Sequence, residues 1–256
     1  MIYKEINDIK IRLIIIIGLL IISLITFIAL KPYSTDLIKS LYSEVEELPD
    51  FLKSIFGNED SLDRLEDNDY YLLSQWQGKN LGQFIPIVIL IITFPLISKE
   101  YDKKTIYLLL SRINRKKLFL SKYFFGLVVN ALTISVLVFL GPIFMNLFGF
   151  KTGYNGTILI YMQELFSILF LYNLFFLFSV IFKEQVKVLI LGIIVCIIPP
   201  FFSFIKPISF VNIYPYIFGQ NILNGKNVDW IYSLGLLVLS FVLFFISRFL
   251  FIRKEL

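Results

Sequence analysis

The residues able to do chemistry are few, and most of them gather in one stretch. Lys99-Glu100-Tyr101-Asp102-Lys103-Lys104-Thr105 is followed by the apolar run Ile106–Leu110, then by Ser111-Arg112-Ile113-Asn114-Arg115-Lys116-Lys117. Charges flanking a short apolar run suit a small helix that presses on a partner and aligns with it through complementary charge. Glu100, Asp102, Lys103, Thr105, Ser111 and Arg115 are the candidate contact residues. Glu164 is the only carboxylate inside an apolar block. There it faces a pathway, pairs with a cation or sits near a water-exposed rim, and all three readings stay open. The chain has no His, and its one cysteine, Cys196, falls inside an apolar block, so neither a disulfide scaffold nor a CxxC site is available. No GxxxxGK[ST] loop occurs, so the chain is not expected to hydrolyse nucleotide itself. The acidic residues Glu59, Asp60, Asp63, Glu66, Asp67 and Asp69 lack EF-hand spacing and read as a solvated surface. No catalytic residue, metal ligand set or cofactor bound by this chain is expected.

The elements that position these groups follow from composition. The 256 residues are 57% hydrophobic and only 17% charged, with a mean hydropathy of +0.80. The apolar residues come in blocks long enough to cross a bilayer of roughly 30 Å as helices. That excludes an ordinary soluble enzyme or nucleic-acid-binding domain. Spans are expected at about 13–30, 81–98, 122–148, 158–182, 188–205 and 230–247, giving an all-α integral membrane protein with both termini on one side. Placing the N-terminus in the cytoplasm puts 16 of the 24 basic residues inside and 13 of the 19 acidic residues outside. This is the asymmetry that membrane insertion favours.

Four segments depart from a minimal bundle. Ile2, Ile6 and Ile9 share a helical face, so 1–12 reads as a cytoplasmic elbow helix lying in the membrane plane, with a short charged tail as the alternative. Residues 31–80 form an extracellular insertion, with an amphipathic helix on Leu37, Leu41, Val45 and Leu48 and a second around Phe51–Phe56. Residues 99–121 form the charged cytoplasmic loop. In 206–229, Pro207 and Pro215 stand among Phe210, Tyr214, Tyr216 and Phe218, which suits either a re-entrant gate hairpin or an aromatic belt. Pro86, Pro95 and Gly141-Pro142 promise bends, and Pro199-Pro200 should end the fifth span.

At the charged loop the sequence resembles the permease subunits of ABC-2-type exporters. The residues that carry the resemblance are the acidic residue leaving span two, Thr105, Leu109-Leu110-Ser111, Arg115 and Ser121-Lys122. The large first external loop and the six-span order extend it over nearly the whole chain. Lys104 stands where the family usually has glycine, and no proline follows Leu-Leu-Ser. The resemblance implies residence in a bacterial cytoplasmic membrane and pairing with a second copy or a related permease. It also implies two separate cytosolic ABC ATPases that hold the ATP and Mg and push on 99–121. An amphipathic or hydrophobic cargo, such as a peptide or antimicrobial, is the expected substrate. Lipid or polysaccharide export, an ATP-independent secondary transporter, and a membrane scaffold or ligand sensor are the alternatives.

Overall fold

The computed structural model describes residues 2–33, 64–204 and 206–254, and no strand occurs among them. Among the described residues, six helices are long and apolar enough to cross a membrane: Glu5–Ala29, Asn68–Asp102, Arg115–Leu147, Asn155–Ile181, Gln185–Ser203 and Trp230–Arg253. They are numbered below as spans one to six. The start of span one, the end of span two, the start of span three and the end of span six meet at one end of the bundle, here called basal. The loops joining spans one to two, three to four and five to six meet at the other, apical end.

Spans two and four form the centre, with 72% and 61% of their most apolar windows buried, whereas spans one, five and six show 22%, 11% and 22%. The centre closes on small residues. A Cβ on Gly126 would meet Leu96 and Tyr172, one on Gly192 would meet Leu90, and one on Gly156 would meet Leu73. Toward the basal end Phe119, Tyr123, Tyr172, Phe176, Phe244 and Phe251 pack spans three, four and six together, with Tyr123 and Phe244 ring centroids 4.7 Å apart. Such aromatic pairs add about 0.5–1.5 kcal/mol each beyond area burial.

Pro95 cannot donate the backbone bond a helix expects, and span two accordingly bends at Phe94 between Gly82–Thr93 and Pro95–Asp102. The exposed backbone groups find a neighbour instead of water. Ser179 Oγ of span four accepts from Ile97 N (3.1 Å) and Ser98 N (3.0 Å) and donates to Phe94 O (2.9 Å). Asn130 of span three donates to Thr93 Oγ1 at 3.2 Å. In lipid, polar side chains from adjacent helices are the usual means of satisfying such a break.

Four expectations are corrected. Residues 2–29 form one unbroken helix, so residues 2–12 continue span one rather than turning off as an elbow. The expected insertion 31–80 ends early, because span two begins at Asn68 and its Leu72–Leu81 portion is π-helical. Its two amphipathic helices, around 37–48 and 51–56, fall outside the described residues. The charged loop is shorter than 99–121, since helix runs to Asp102 and resumes at Arg115. The rim reading of Glu164 also fails, because the side chain is completely buried. Span five ends as expected, its α-helix stopping at Ile197 before a tighter 3₁₀ turn at Pro199–Phe204.

Candidate functional site

The basal link between spans two and three is built from its ends inward. Lys103 and Lys104 close span two, and Lys104 takes φ of +56°, the left-handed region that glycine enters without strain. This is the position where the resembling permeases usually have glycine, so Lys104 keeps the turn at an energetic cost. A short helix, Ile106–Leu110, follows. Asn114 then caps span three by accepting from Lys116 N. Ile106 faces inward, while Tyr107 (52% exposed) and Leu108 (68%) project outward. Around them Asp102, Lys103, Lys104, Ser111, Arg112, Lys116 and Lys117 are all exposed. Ser111 Oγ donates to Leu108 O and closes the tip.

Beneath this tip lies a buried cluster of charge. Lys122 of span three is 1% exposed, and its Nζ stands 2.8 Å from Glu5 of span one and 2.8 Å from Glu100 of span two. The Glu100 contact is an aligned hydrogen bond; the Glu5 contact is close but not aligned as one. Thr105 Oγ1 donates to the Glu100 carboxylate, which anchors the link to the cluster. Lys99 and Asp8 pair at 2.7 Å beside it, and Arg12 stacks over Phe94 at 5.0 Å. Three carboxylates and three cations thus face one another here. A buried charge is tolerable only with such partners.

The expected contact residues therefore separate into three groups. Asp102, Lys103 and Ser111 lie on the exposed tip, with Asp102 also accepting from Gln185 at 2.7 Å across the link between spans four and five. Glu100 and Thr105 point inward and brace the link instead of meeting a partner. Arg115 donates from Nη1 to Ile252 O (3.0 Å) and Lys254 O (2.9 Å), tying the start of span three to the end of span six. Glu5, Lys122, Ser179 and Lys254 were not among the candidate site residues, although Lys122 entered as part of the resemblance motif. For the first two, the signal was present as lone charges at span ends. Lys254 Nζ binds Val180 O (2.5 Å) and Ile181 O (2.8 Å) at the end of span four. Burial, and secondarily Lys183, push its amine down to about 8.

At the apical end the 206–229 segment folds back onto the bundle. Lys206–Val211 is a 3₁₀ turn, Tyr214–Ile217 and Gln220–Leu223 are short helices, and Gly219 between them has φ of +65°. A Cβ on Gly82 would strike Phe218, and one on Gly219 would strike Ile160. Tyr216 O accepts from Gln163 at 2.7 Å. Tyr214 donates to Cys196 O at 2.7 Å, and Tyr216 shares a bond with Ser233. Burial raises both phenols to about 12. Phe210 stays exposed and joins Phe170, Leu174, Cys196, Tyr214 and Leu239 around a mainly apolar cavity of about 650 Å³. The cavity lies between spans four, five, six and this segment. Glu164 is not part of it.

A family model described as ABC-2 family transporter protein matches residues 2–256, nearly the whole chain. Comparison with curated proteins and with solved structures gives no match. Six apolar spans, a braced basal link and this full-length correspondence agree: the chain belongs to the ABC-2 family of transporters and is a multi-pass permease of the cytoplasmic membrane.

Proposed function

We propose that this permease is the membrane subunit of an ATP-driven exporter, with its basal end in the cytoplasm, and that it works as a pair with a second copy or a related permease. Two separate ABC ATPases hydrolyse ATP and press on the 103–114 link. One observation carries this reading: the link exposes an aromatic and aliphatic tip, Tyr107–Leu108, ringed by cations, on a base braced by buried charge to spans one, two and three. An apolar anchor with a polar rim is how interfaces concentrate binding energy. The brace gives a push at the tip three helices to act on. The basic basal end fits the cytoplasmic side.

The cargo proposed is amphipathic or hydrophobic, with a peptide or peptide antimicrobial as the preferred class and lipid or polysaccharide as the alternative. The apolar cavity beneath the apical segment supports this, because its lining is aliphatic and aromatic apart from one charged residue, Asp229. The test is co-purification with the cognate ATPase and cargo-dependent hydrolysis in reconstituted vesicles. Leu108→Arg and Tyr107→Ala should each abolish permease-stimulated hydrolysis while leaving insertion and fold intact. Normal stimulation in both variants would refute the assignment of the tip. Cys196, the single cysteine, lines the cavity, so bound cargo should slow its reaction with a hydrophobic maleimide.

A further inference from the structure

The inner face of span four carries Thr157, Ile160, Glu164 and Ser167 at helical spacing, each fully buried. Both Glu164 oxygens, Ser167 Oγ and Thr157 Oγ1 have no hydrogen-bond partner among the described residues. Gln163 spends its amide nitrogen on Tyr216 O, which leaves its Oε1 unpartnered. Span two answers with Gln77, also fully buried with Oε1 and Nε2 unpartnered. Leu73 of span two packs at Gly156 of span four. Gln77 follows on the next turn of the same face, which puts it in the layer of Ile160, one turn before Glu164. The Glu164 side chain tilts back toward the start of span four, as helical side chains do. The Gln77 turn is π-helical, a rare geometry that recurs at functional sites. The apical segment covers the layer, with Phe218 against Gly78 and Gly82 and Gly219 against Ile160.

A carboxylate buried at membrane depth needs a positive partner. No ion pair among the described residues supplies one to Glu164. The unpartnered atoms around it are mainly oxygens of carboxylate, hydroxyl and amide groups, the donors that hard cations prefer. One formal charge matches a monovalent ion. A divalent ion calls for more acidic ligands, and no cluster of three His, Cys, Asp or Glu occurs among the described residues. A single proton would engage one carboxyl oxygen and leave the others as they are. Other titratable groups on the packed elements at this level are exposed or already engaged. Lys79 is exposed, Tyr161 binds Ser135, Tyr216 binds Ser233, Tyr232 donates to Phe210 O, and Asp229 caps span six.

We propose that Glu164, with Ser167 and Gln163 of span four and Gln77 of span two, forms an intramembrane binding site for one small alkali-metal cation beneath the apical segment. The bound ion neutralises Glu164 and ties spans two and four together where Phe218 and Gly219 rest on them. This site stands apart from the export reading, because the permease alone contains it.

The test is thermal unfolding of the purified full chain in lipid nanodiscs, in lithium, sodium, potassium or choline chloride at equal ionic strength and fixed pH. One alkali ion should raise the midpoint saturably, by roughly 5 °C over choline. Glu164→Gln should abolish that dependence while keeping helicity, and Gln77→Leu should weaken the apparent affinity about tenfold. If Glu164→Gln fails to insert, Ser167→Ala carries the same comparison. Identical midpoints in all four salts would overturn the proposal, as would an unchanged ion response in Glu164→Gln. Stabilisation by acid in choline with no alkali response would assign the charge to a proton and overturn the metal site.

Discussion

Lys122→Met tests the basal brace most directly. The substitution keeps side-chain length and removes the charge that Glu5 and Glu100 share, each carboxylate lying 2.8 Å from Nζ. The two acids then face each other across no more than twice that distance. Coulomb repulsion at that separation is about 3 kcal/mol at an effective dielectric of 20. Breaking a buried ion pair from one side costs about 3–5 kcal/mol in comparable cases, so two routes give the same range. In a chain of this length that corresponds to a fall of roughly 10 °C in unfolding midpoint. Thermal unfolding of the purified permease reads it. The triple variant Glu5→Gln, Glu100→Gln, Lys122→Met should recover most of the loss, because it removes the stranded charges along with their partner. A single variant within about 1 °C of the parent, or a triple variant no better than the single, would refute the brace.

Further outcomes follow from other contacts. Ser179→Ala leaves Ile97 and Ser98 N–H groups unsatisfied at the Pro95 bend and should cost about 2–3 kcal/mol by thermal unfolding. Ser179→Thr, which keeps the hydroxyl, should lose less. Lys104→Gly relieves the left-handed backbone at φ of +56° and should stabilise by about 1 kcal/mol, a rise of roughly 2–4 °C. Lys254 releases its proton near 8 in the folded chain but holds it to about 10.4 when unfolded. The unfolded state therefore binds more protons between those values, and stability contributed by this residue rises with pH from about 8 to 10.5. Midpoints measured across that window should climb more steeply for the parent than for Lys254→Gln; equal slopes would remove Lys254 as the cause.

Length and hydropathy made the six spans legible, because a block of about twenty apolar residues has few other uses. Pro199-Pro200 marked its helix end for an equally local reason. The elbow at 1–12 was misread because Ile2, Ile6 and Ile9 form an amphipathic face. Such a face lies flat on a membrane unless a neighbour takes its charges, and here Lys122 and Lys99 engage Glu5 and Asp8. Those pairings join residues 117 and 91 positions apart, which no local pattern reports. Glu100 and Thr105 were read as partner contacts, and polar residues at a span end look the same in sequence whether they face a partner or an internal lysine. Glu164 was visible as a lone carboxylate. Its complete burial is a matter of tertiary packing, which the sequence around it does not reveal.

The bend at Phe94 has a mechanical consequence. Ser179 ties span two to span four by hydrogen bonds at the bend, while Leu73 packs against Gly156 nearer the start of the span. Its short arm, Pro95–Asp102, has eight residues and measures about 12 Å. The arm on the other side, from Asn68 to Phe94, measures about 40 Å. If the span tilts as one body about this bend, its Asn68 end travels about three times as far as its Asp102 end, and Asn68 and Asp69 hold the link between spans three and four there.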